Sequence, residues 1–304
     1  MQPMTYSIKA RGLMPYAIVT DSASSIPYTL AQKLGITILP LNYFVDDVEH
    51  PGFFPDKPID LKGFYDSMRE GHKVRTSLPN PHSTTETLRG LLEQGLDILY
   101  LGFSSALSGT YDSVHRICEE LAQSFPKRTI ACVETQAASF GQGLIVKNAA
   151  LMAKAGRTLE EVAAWVKENR QKFNHWVTVD DLSFVLAGGR MARTGAFAAN
   201  LLGIKPLLRI DEEGAIDVVE PCRGRKASLK KMAARVKERI ASAGEEVVIA
   251  HADCLKDAEK LKDLISEGTQ LRDFKIHYLD PVIGAHGGPG SMAVFFNGKP
   301  REER

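Results

Sequence analysis

Residues 97–113 read DILYLGFSSALSGTYDS, and this stretch predicts the fold of the chain. The apolar run 97–101 is typical of a buried strand, and it ends in a small corner crowded with hydroxyl side chains. A helix is predicted to begin at Ser108 or just after it, because serine is a preferred residue at helix N-termini. A strand that leads directly into a helix is the repeating unit of α/β folds with parallel sheets.

The same alternation of strand and helix continues on both sides of this stretch. Strand-like apolar runs cover 17–22, 36–44 and 129–134. Helical patterns cover 27–34, 60–70 and 137–155. A further helix is predicted from Ser83, because Ser83-Thr84-Thr85-Glu86 matches a capping box. The alternation predicts an α/β fold whose first sheet is mainly parallel and doubly wound, with helices on both faces.

The pattern restarts near residue 156, which predicts a second α/β domain. A helix over 158–170 is followed by strand-like runs at 175–181, 205–211, 215–221, 246–253 and 274–281. Glu212-Glu213-Gly214 predicts a hairpin turn between two of these runs, and a charged helix is expected around 255–266. The two domains are expected to cover 1–170 and 171–304, with a ligand between them.

Composition excludes several classes of protein. The 304 residues include 38 basic and 37 acidic side chains, so the net charge of +1 gives no reason to expect nucleic acid. No stretch approaches the roughly 20 apolar residues that span a bilayer. The four cysteines contain no Cys-x-x-Cys pair and are interpreted as reduced thiols. A cytoplasmic protein is therefore expected, since the first residues also lack an apolar signal core.

The corner at Ser108-Gly109 is a candidate binding site. Ligands of open parallel sheets bind beyond the C-terminal ends of the strands, where Asp21-Ser22 also lies. Helix N-termini favour anions, so the corner is predicted to hold an anion or a carboxylate. The alternative is that Ser108 only caps the helix.

Familiar catalytic motifs are incomplete in this chain. Gly102-Phe103-Ser104-Ser105-Ala106 lacks the final glycine of a nucleophile elbow. Gly141-Gln142-Gly143 has Val146 where a dinucleotide-binding motif has its third glycine. The glycine-rich stretch 284–291 lacks the Gly-Lys-Ser/Thr of a phosphate-binding loop. His251 and Cys254 lack a second ligand pair at metal spacing, so no metal site is predicted.

Seven separated motifs together resemble the DegV family, over roughly residues 17 to 297. They are VTDSASSIP (19–27), RTSLPNP (75–81), GFSSALSGTYDS (102–113), LAGGRMAR (186–193), LLGIKPLL (201–208), RGRKA (223–227) and AHGGPGS (285–291). The resemblance implies two α/β domains that close over a long-chain fatty acid such as palmitate. It also implies a protein without catalytic residues or another cofactor, which presents the fatty acid's carboxyl group to a separate kinase for acyl-phosphate formation.

The resemblance also implies which residues hold the carboxylate. Carried over by motif, these are Thr76, Ser108 and His286, with Ser77, Gly109 and Gly287 beside them and Arg190 as a longer-range positive charge. The acyl tail is expected within one domain, beside the Ala-rich helix. The chain departs from the family motifs at Ala23-Ser24-Ser25 and at Leu78, where a polar side chain is usual.

Three functional hypotheses stay open at this point. The favoured one is a monomeric fatty-acid carrier, which would dock a kinase through Arg193, Arg223, Arg225 and Lys226. These basic residues could instead be a solvated helix start. The second hypothesis is a self-sufficient hydrolase or kinase that uses Ser108 or His286. The third is a regulatory protein that contains a lipid only as a structural component.

Overall fold

The computed structural model describes residues 16–53, 59–190 and 203–301. The predicted α/β fold with a parallel first sheet is confirmed. This sheet has the order β2-β1-β6-β7, and each neighbouring pair is parallel. Its strands are β1 (Tyr16–Asp21), β2 (Thr37–Leu39), β6 (Asp97–Gly102) and β7 (Ile130–Glu134).

The apolar run 36–44 is divided between two sheets, whereas the sequence pattern suggests one segment. Pro40 lies between β2 and the next strand, and proline has no N–H with which to continue a ladder. The second part of the run belongs to an antiparallel sheet with the order β4-β3-β5. Its strands are β3 (Asn42–Val45), β4 (Val48–Pro51) and β5 (Val74–Ser77).

Helices follow the strands of the first half as the apolar spacing predicts. They are α1 (Tyr28–Leu34), α2 (Leu61–Arg69), α3 (Pro81–Glu93), α4 (Thr110–Ser124), α5 (Ser139–Lys154) and α6 (Leu159–Asn169). The predicted capping box at Ser83 is wrong. Asn80 caps α3 by accepting hydrogen bonds from the N–H groups of His82 and Ser83, and Pro81 occupies the first helical position.

The second half forms a six-stranded mixed sheet with the order β10-β9-β8-β13-β11-β12. Its strands are β8 (Phe173–Thr178), β9 (Leu207–Ile210), β10 (Ile216–Glu220), β11 (Val247–His251), β12 (Phe274–Tyr278) and β13 (Met292–Asn297). The predicted hairpin is confirmed, because β9 and β10 pair antiparallel. The sequence pattern did not predict β13, which pairs with both β8 and β11 in the interior of the sheet.

The helices of this half are α7 (Leu182–Ala187), α8 (Arg225–Arg239), α9 (Leu255–Ser266) and α10 (Pro281–Gly287). The start of the glycine-rich stretch 284–291 is thus the last turn of α10 rather than a loop. Gly288 and Gly290 have φ of 78° and 80°, so they make the turn from α10 into β13 in a conformation that favours glycine.

One apolar core cluster joins the two main sheets. It contains Ile18 and Leu99 of the first sheet, Ala250 and Phe295 of the second, and side chains of α5 between them. The Ala-rich helix α5 lies deep in this cluster, with Ala149, Ala150 and Ala153 fully buried. All strands of the six-stranded sheet follow residue 172, but the core is continuous, so the domain boundary at residue 170 stays a prediction.

Candidate functional site

Thr76 and His286 are in direct contact, although they lie far apart in the sequence. Thr76 Oγ1 and His286 Nε2 are 2.9 Å apart, a hydrogen-bond distance. Thr76 lies on β5, where it pairs with Tyr43 of β3, and His286 lies in the last turn of α10. Both side chains are partly exposed. The hydroxyl and imidazole groups therefore form a partly exposed polar contact, which makes this place the candidate site.

His286 is neutral at physiological pH. Burial lowers its pKa, and the positive charge of Arg190 lowers it further, to about 4. Gly188 at the end of α7 allows the imidazole to come close, since a Cβ at this position would lie only 3.3 Å from His286 Nδ1. A neutral imidazole has one N–H donor and one acceptor nitrogen, so His286 can donate a hydrogen bond to an anion without a full ion pair.

Arg190 is held against the protein rather than extended into solvent. Its Nε donates to the carbonyl oxygen of Leu107 at 3.3 Å, and its Nη1 donates to the carbonyl oxygen of Gly188. Burial lowers the pKa of the guanidinium group, which still keeps its charge at neutral pH. Because Leu107 precedes Ser108, these bonds join the positive charge to the corner predicted from the sequence.

Ser108 lies directly before α4, which begins at Thr110 with Gly109 at the N-cap position. The Ser108 Oγ is 2.9 Å from Thr110 Oγ1 and accepts a hydrogen bond from the Thr110 N–H at 3.3 Å. The hydroxyl thus contributes to the helix start, as the alternative interpretation proposes. Because Ser108 is also partly exposed, its proton can serve a ligand when Thr110 Oγ1 is the donor in the bond between the two hydroxyls.

The contacts of these residues form a closed circuit. Thr76 contacts His286, which lies beside Gly188, and Arg190 bonds to both Gly188 and Leu107. Leu107 precedes Ser108 and Gly109 in the chain, and Gly109 approaches Leu78, which follows β5. The last link is apolar, since a Cβ on Gly109 would lie 3.9 Å from Leu78 Cδ1. The structure therefore shows Thr76 in contact with His286, and Arg190 between Gly188 beside His286 and Leu107 beside Ser108. Ser77 and Gly287 are the chain neighbours of this group, and Gly109 is part of its rim.

The four basic residues of the predicted docking face differ in their surroundings. Arg193 lies outside the described residues. Arg223 and Lys226 are exposed. Arg225 is not a free surface cation: it pairs with Asp180 at 3.0 Å and Asp257 at 3.2 Å, and it donates to the carbonyl oxygen of Gly290. Arg225 thus holds the start of α8 against the turn that follows α10.

Asp21 is a buried carboxylate with an internal structural role. Its two oxygens accept hydrogen bonds from the N–H groups of Phe103 and Ala23, from Tyr100 and from Gln142. Burial raises the pKa of Asp21 to about 6, although these donors oppose the shift. The sequence marks Asp21 only as a strand-end residue, whereas the structure shows that it ties the end of β1 to the end of β6.

Sequence reasoning missed two residues behind the site. Asp280 caps α10 by accepting from the N–H groups of Val282 and Ile283, and Ser25 donates to its other oxygen. Asp280 followed by Pro281 is a recognisable helix start, but nothing in the sequence links it to Ser25. Elsewhere in the described ranges, no cluster of His, Cys, Asp and Glu could hold a metal ion. In the same ranges, no helix has the length and apolar character needed to cross a membrane.

Comparison with known proteins places this fold in a family. A fatty acid binding DegV family protein from Streptococcus agalactiae has a similar structure, with a TM-score of 0.84, 27% identity, and coverage of 94% of this chain and 100% of that one. The fatty-acid-binding DegV family protein of Thermus thermophilus gives a TM-score of 0.82 at 28% identity, covering 93% and 99%. These neighbours are α/β proteins described by their ability to bind fatty acids.

Sequence comparison gives the same assignment. The model of the DegV family, described as uncharacterised proteins, matches residues 15–299. A DegV domain-containing protein of Clostridium perfringens is 40% identical over 288 residues, which cover 94% of this chain and 99% of the relative. The chain belongs to the DegV family.

Proposed function

We propose that this protein binds a long-chain fatty acid and holds its carboxylate between Thr76, Ser108 and His286. The observation that carries the proposal is the contact of Thr76 with His286 in the circuit that also contains Arg190 and Ser108. A carboxylate taken from water needs hydrogen-bond donors. The Thr76 hydroxyl and the neutral His286 imidazole can both supply them when the ligand oxygen replaces the bond between Thr76 Oγ1 and His286 Nε2. The fatty-acid-binding neighbours support the same ligand class.

The acyl tail supplies most of the binding free energy in this proposal. A sixteen-carbon acid has about 14 methylenes, and burying each is worth about 0.8 kcal/mol, or on the order of 11 kcal/mol before association costs. Leu107 belongs to an apolar cluster with Phe103, Ile210 and Val282, so a tail leaving the head-group site meets apolar side chains at once. The expected path beside α5 stays the alternative, because the buried side chains of both clusters already pack against one another and a tail must separate them on either path.

A second candidate function follows from the same contact. A hydroxyl bonded to an imidazole is also the arrangement of a nucleophile and its base. Two features argue against this alternative. The lowered pKa makes His286 a weak base at neutral pH. Within the part of the chain that the structure describes, no carboxylate is bonded to His286 Nδ1 to orient the ring. We therefore favour a carrier over an enzyme.

In the last step of the proposed role, the protein presents the bound carboxyl group to a partner protein. A carrier that exposes a bound carboxyl group fits a separate kinase that forms the acyl phosphate, and a cytoplasmic monomer fits that exchange. We assign docking to the exposed Arg223 and Lys226 rather than to Arg225, which is paired within the chain. A regulatory protein with a permanently bound lipid is the competing proposal, and slow exchange of the lipid would favour it.

Binding is tested with the purified protein. Organic extracts analysed by mass spectrometry are expected to contain about one long-chain fatty acid per chain, and the delipidated protein is expected to bind added palmitate. The Thr76→Val/Ser108→Ala double variant should lose most of this affinity. Ser124→Ala is the matched control, because Ser124 is an exposed serine at the other end of α4. Absence of lipid from repeated extracts, with no binding of palmitate or oleate, contradicts the proposal.

Docking is tested by reversing charge. Arg223→Glu/Lys226→Glu should bind palmitate normally but support less acyl-phosphate formation by the fatty acid kinase of the same organism, most clearly at low salt. Lys127→Glu/Lys262→Glu reverses two exposed charges elsewhere and is the control. Equal phosphorylation rates for both double variants would remove the docking role.

A further inference from the structure

Three side chains from distant segments form one chain of hydrogen bonds beneath the proposed site. Ser139 Oγ and Ser25 Oγ are 3.0 Å apart, and Ser25 Oγ lies 2.5 Å from Asp280 Oδ2. The other oxygen of Asp280 accepts from the N–H groups of Val282 at 2.9 Å and Ile283 at 3.1 Å. The chain therefore joins the residues after β1, the first residue of α5 and the N-terminus of α10.

The direction of these bonds is fixed by the carboxylate. An ionised Asp280 can only accept, so Ser25 must donate to it, and Ser139 must then donate to Ser25. Each bond in this chain thus has only one possible donor, which favours a single arrangement of the three side chains. The donors to Asp280 favour its charged form, although burial of the carboxyl raises its pKa.

The backbone at both serines is in an uncommon conformation. Ser25 has φ of 53° and Ser139 has φ of 50°, in the left-handed region that residues other than glycine rarely occupy. Such conformations persist where the surroundings fix them. Close packing between these two segments is one such constraint, since a Cβ on Gly143 of α5 would lie 2.6 Å from the carbonyl oxygen of Ser24.

The short helix α10 transmits this arrangement to His286. It has only seven residues, with Asp280 at its N-cap and His286 in its last turn. Tyr65 supports its middle, because Tyr65 donates to the carbonyl oxygen of Leu279 at 2.9 Å and lies against Gly284. Backbone hydrogen bonds join Asp280 to Gly284 at 2.7 Å and Gly284 to Gly288 at 2.9 Å, so the two ends of α10 are connected through its own turns. A shift at Asp280 is therefore a shift at His286.

We propose that Ser25 and Asp280 are positioning residues for the carboxylate site: with Ser139 they fix α10, so that His286 faces Thr76 at hydrogen-bond distance. The inference rests on the proposed function, because it concerns the same site. Neither Ser25 nor Asp280 touches the ligand in this scheme. Their removal should act on affinity through the placement of His286.

Ser25→Ala is the decisive variant, because it breaks the chain but keeps the Asp280 cap of α10. Palmitate affinity of the delipidated protein is expected to fall about fivefold, and the urea midpoint of unfolding should fall as well, because the buried Asp280 carboxylate loses a donor. The pKa of His286, followed by NMR in unliganded protein, should rise from about 4 toward its ordinary value as the ring becomes less enclosed. A purely structural role for Ser25 would lower only the midpoint and leave this titration unchanged.

Two substitutions of Asp280 extend the test. Asp280→Asn can still accept from the N–H groups of α10, and its amide can donate to Ser25, which then donates to Ser139. This variant should keep most of the affinity, whereas Asp280→Ala should lose at least as much as Ser25→Ala. Thr158→Ala removes the cap of α6, which carries no residue of the site, and should leave palmitate binding unchanged.

His286→Ala separates the two proposals. If His286→Ala loses affinity while Ser25→Ala and Asp280→Ala bind as wild type does, the positioning role is overturned and the proposed function stands. If His286→Ala itself binds palmitate as wild type does, the proposed site is wrong and the positioning role falls with it. Should Asp280→Ala fail to fold, Ser25→Ala and the His286 titration decide the question alone.

Discussion

Thr76 and His286 show how a carboxylate can be held without a strong ion pair. Both groups are polar but uncharged at neutral pH, and Arg190, the cation that lowers the pKa of His286, is engaged with backbone carbonyl oxygens. A bound carboxylate would keep more of its nucleophilic character beside hydrogen-bond donors than in a bidentate arginine pair. Holding the carboxylate by hydrogen bonds alone suits the proposed kinase step, in which the ligand's oxygen attacks a phosphate.

Thr76→Val is the sharpest substitution within the site. Valine keeps the branched shape that suits β5 and removes only the hydroxyl. The loss of a hydrogen bond to a charged ligand should weaken palmitate binding by about 1.5–3 kcal/mol. Calorimetric titration of delipidated protein measures the change, and Thr76→Ser, which keeps the hydroxyl, should stay near wild type. Equal affinity of the valine and serine variants would exclude a bond from Thr76 to the ligand.

The affinity should also depend on pH through His286. Its pKa is about 4 in the unliganded protein, and a bound carboxylate raises it. His286 stays neutral from about pH 8 to about 6, so affinity should be nearly constant over these values and should increase only as the pH falls further toward the His286 pKa of about 4, where binding takes up protons. Titrations at several pH values check this, with His286→Gln as the control that should show a flat profile. A wild-type affinity that decreases as the pH falls toward this pKa contradicts the assignment.

The sequence contains part of this site but not its support. Thr76, Ser108 and His286 each lie in a recognisable motif, so the resemblance could assign them before their contacts were known. Ser25 and Asp280 are separated by 255 positions, and their bond exists only because the end of β1 and the start of α10 meet in the fold. No local pattern encodes such a meeting, which is why these residues escaped prediction.

At the scale of elements, α10 depends on the absence of a side chain at Gly284. A Cβ there would lie 2.2 Å from the hydroxyl oxygen of the buried Tyr65, so Gly284→Ala should overpack the site and destabilise the protein by about 1–3 kcal/mol. Because α10 must shift, palmitate affinity should fall as well. Urea unfolding and titration measure the two effects.

Gly90→Ala is the matched control for this prediction. Gly90 also lies within a helix, α3, but a Cβ at that position meets no atom within 4 Å. The change should stabilise the protein by about 0.5–1 kcal/mol, because alanine is the better helix former. Similar responses to both substitutions would mean that helix propensity, and not packing against Tyr65, governs α10.

The type of an element could be predicted where the apolar spacing is regular. Its boundaries were predicted wrongly where another local sequence signal competed with that spacing. The helix around 255–266 has a clear periodicity and is confirmed as α9. The run 36–44 looks continuous because apolar residues flank Pro40 on both sides. The capping box at Ser83 matches a short motif, but Asn80-Pro81 three residues earlier is the better helix start. The apolar run 292–297 follows the turn at Gly288 and Gly290, so a strand signal is present, but no local pattern places this strand between β8 and β11.

At the scale of the whole molecule, Arg301 connects the two halves of the fold. Its guanidinium group donates to the carbonyl oxygens of Gln136, Arg170 and Asp211, which lie after β7, after α6 and after β9. The side chain is largely buried, and burial lowers its pKa to about 10, so it stays charged at neutral pH. Without Arg301, the carbonyl oxygens of Arg170 and Asp211 would keep the N–H groups of Phe173 and Gly214 as donors, whereas the carbonyl oxygen of Gln136 would lose the donor that the structure shows.

Arg301→Ala should therefore destabilise the protein by about 2–4 kcal/mol. Arg301→Lys should be intermediate, because an ammonium group cannot reach three carbonyls with the planar geometry of a guanidinium. Arg116→Ala is the control, since exposed Arg116 bonds only within its own helix α4. Urea unfolding curves report the differences. An alanine variant as stable as the control would show that the halves are held together by the apolar core alone.

The position of β13 has a consequence for the order in which the protein can fold as it is synthesised. Its residues pair with Thr178 of β8 on one side and His251 of β11 on the other, so the interior of the six-stranded sheet is filled by a strand that the ribosome makes after both neighbours. The parallel first sheet has all its strands by residue 134 and can assemble early. The second sheet cannot be completed until β13 has left the ribosome. Until then, β8 and β11 each have an unpaired edge that can bind a wrong strand.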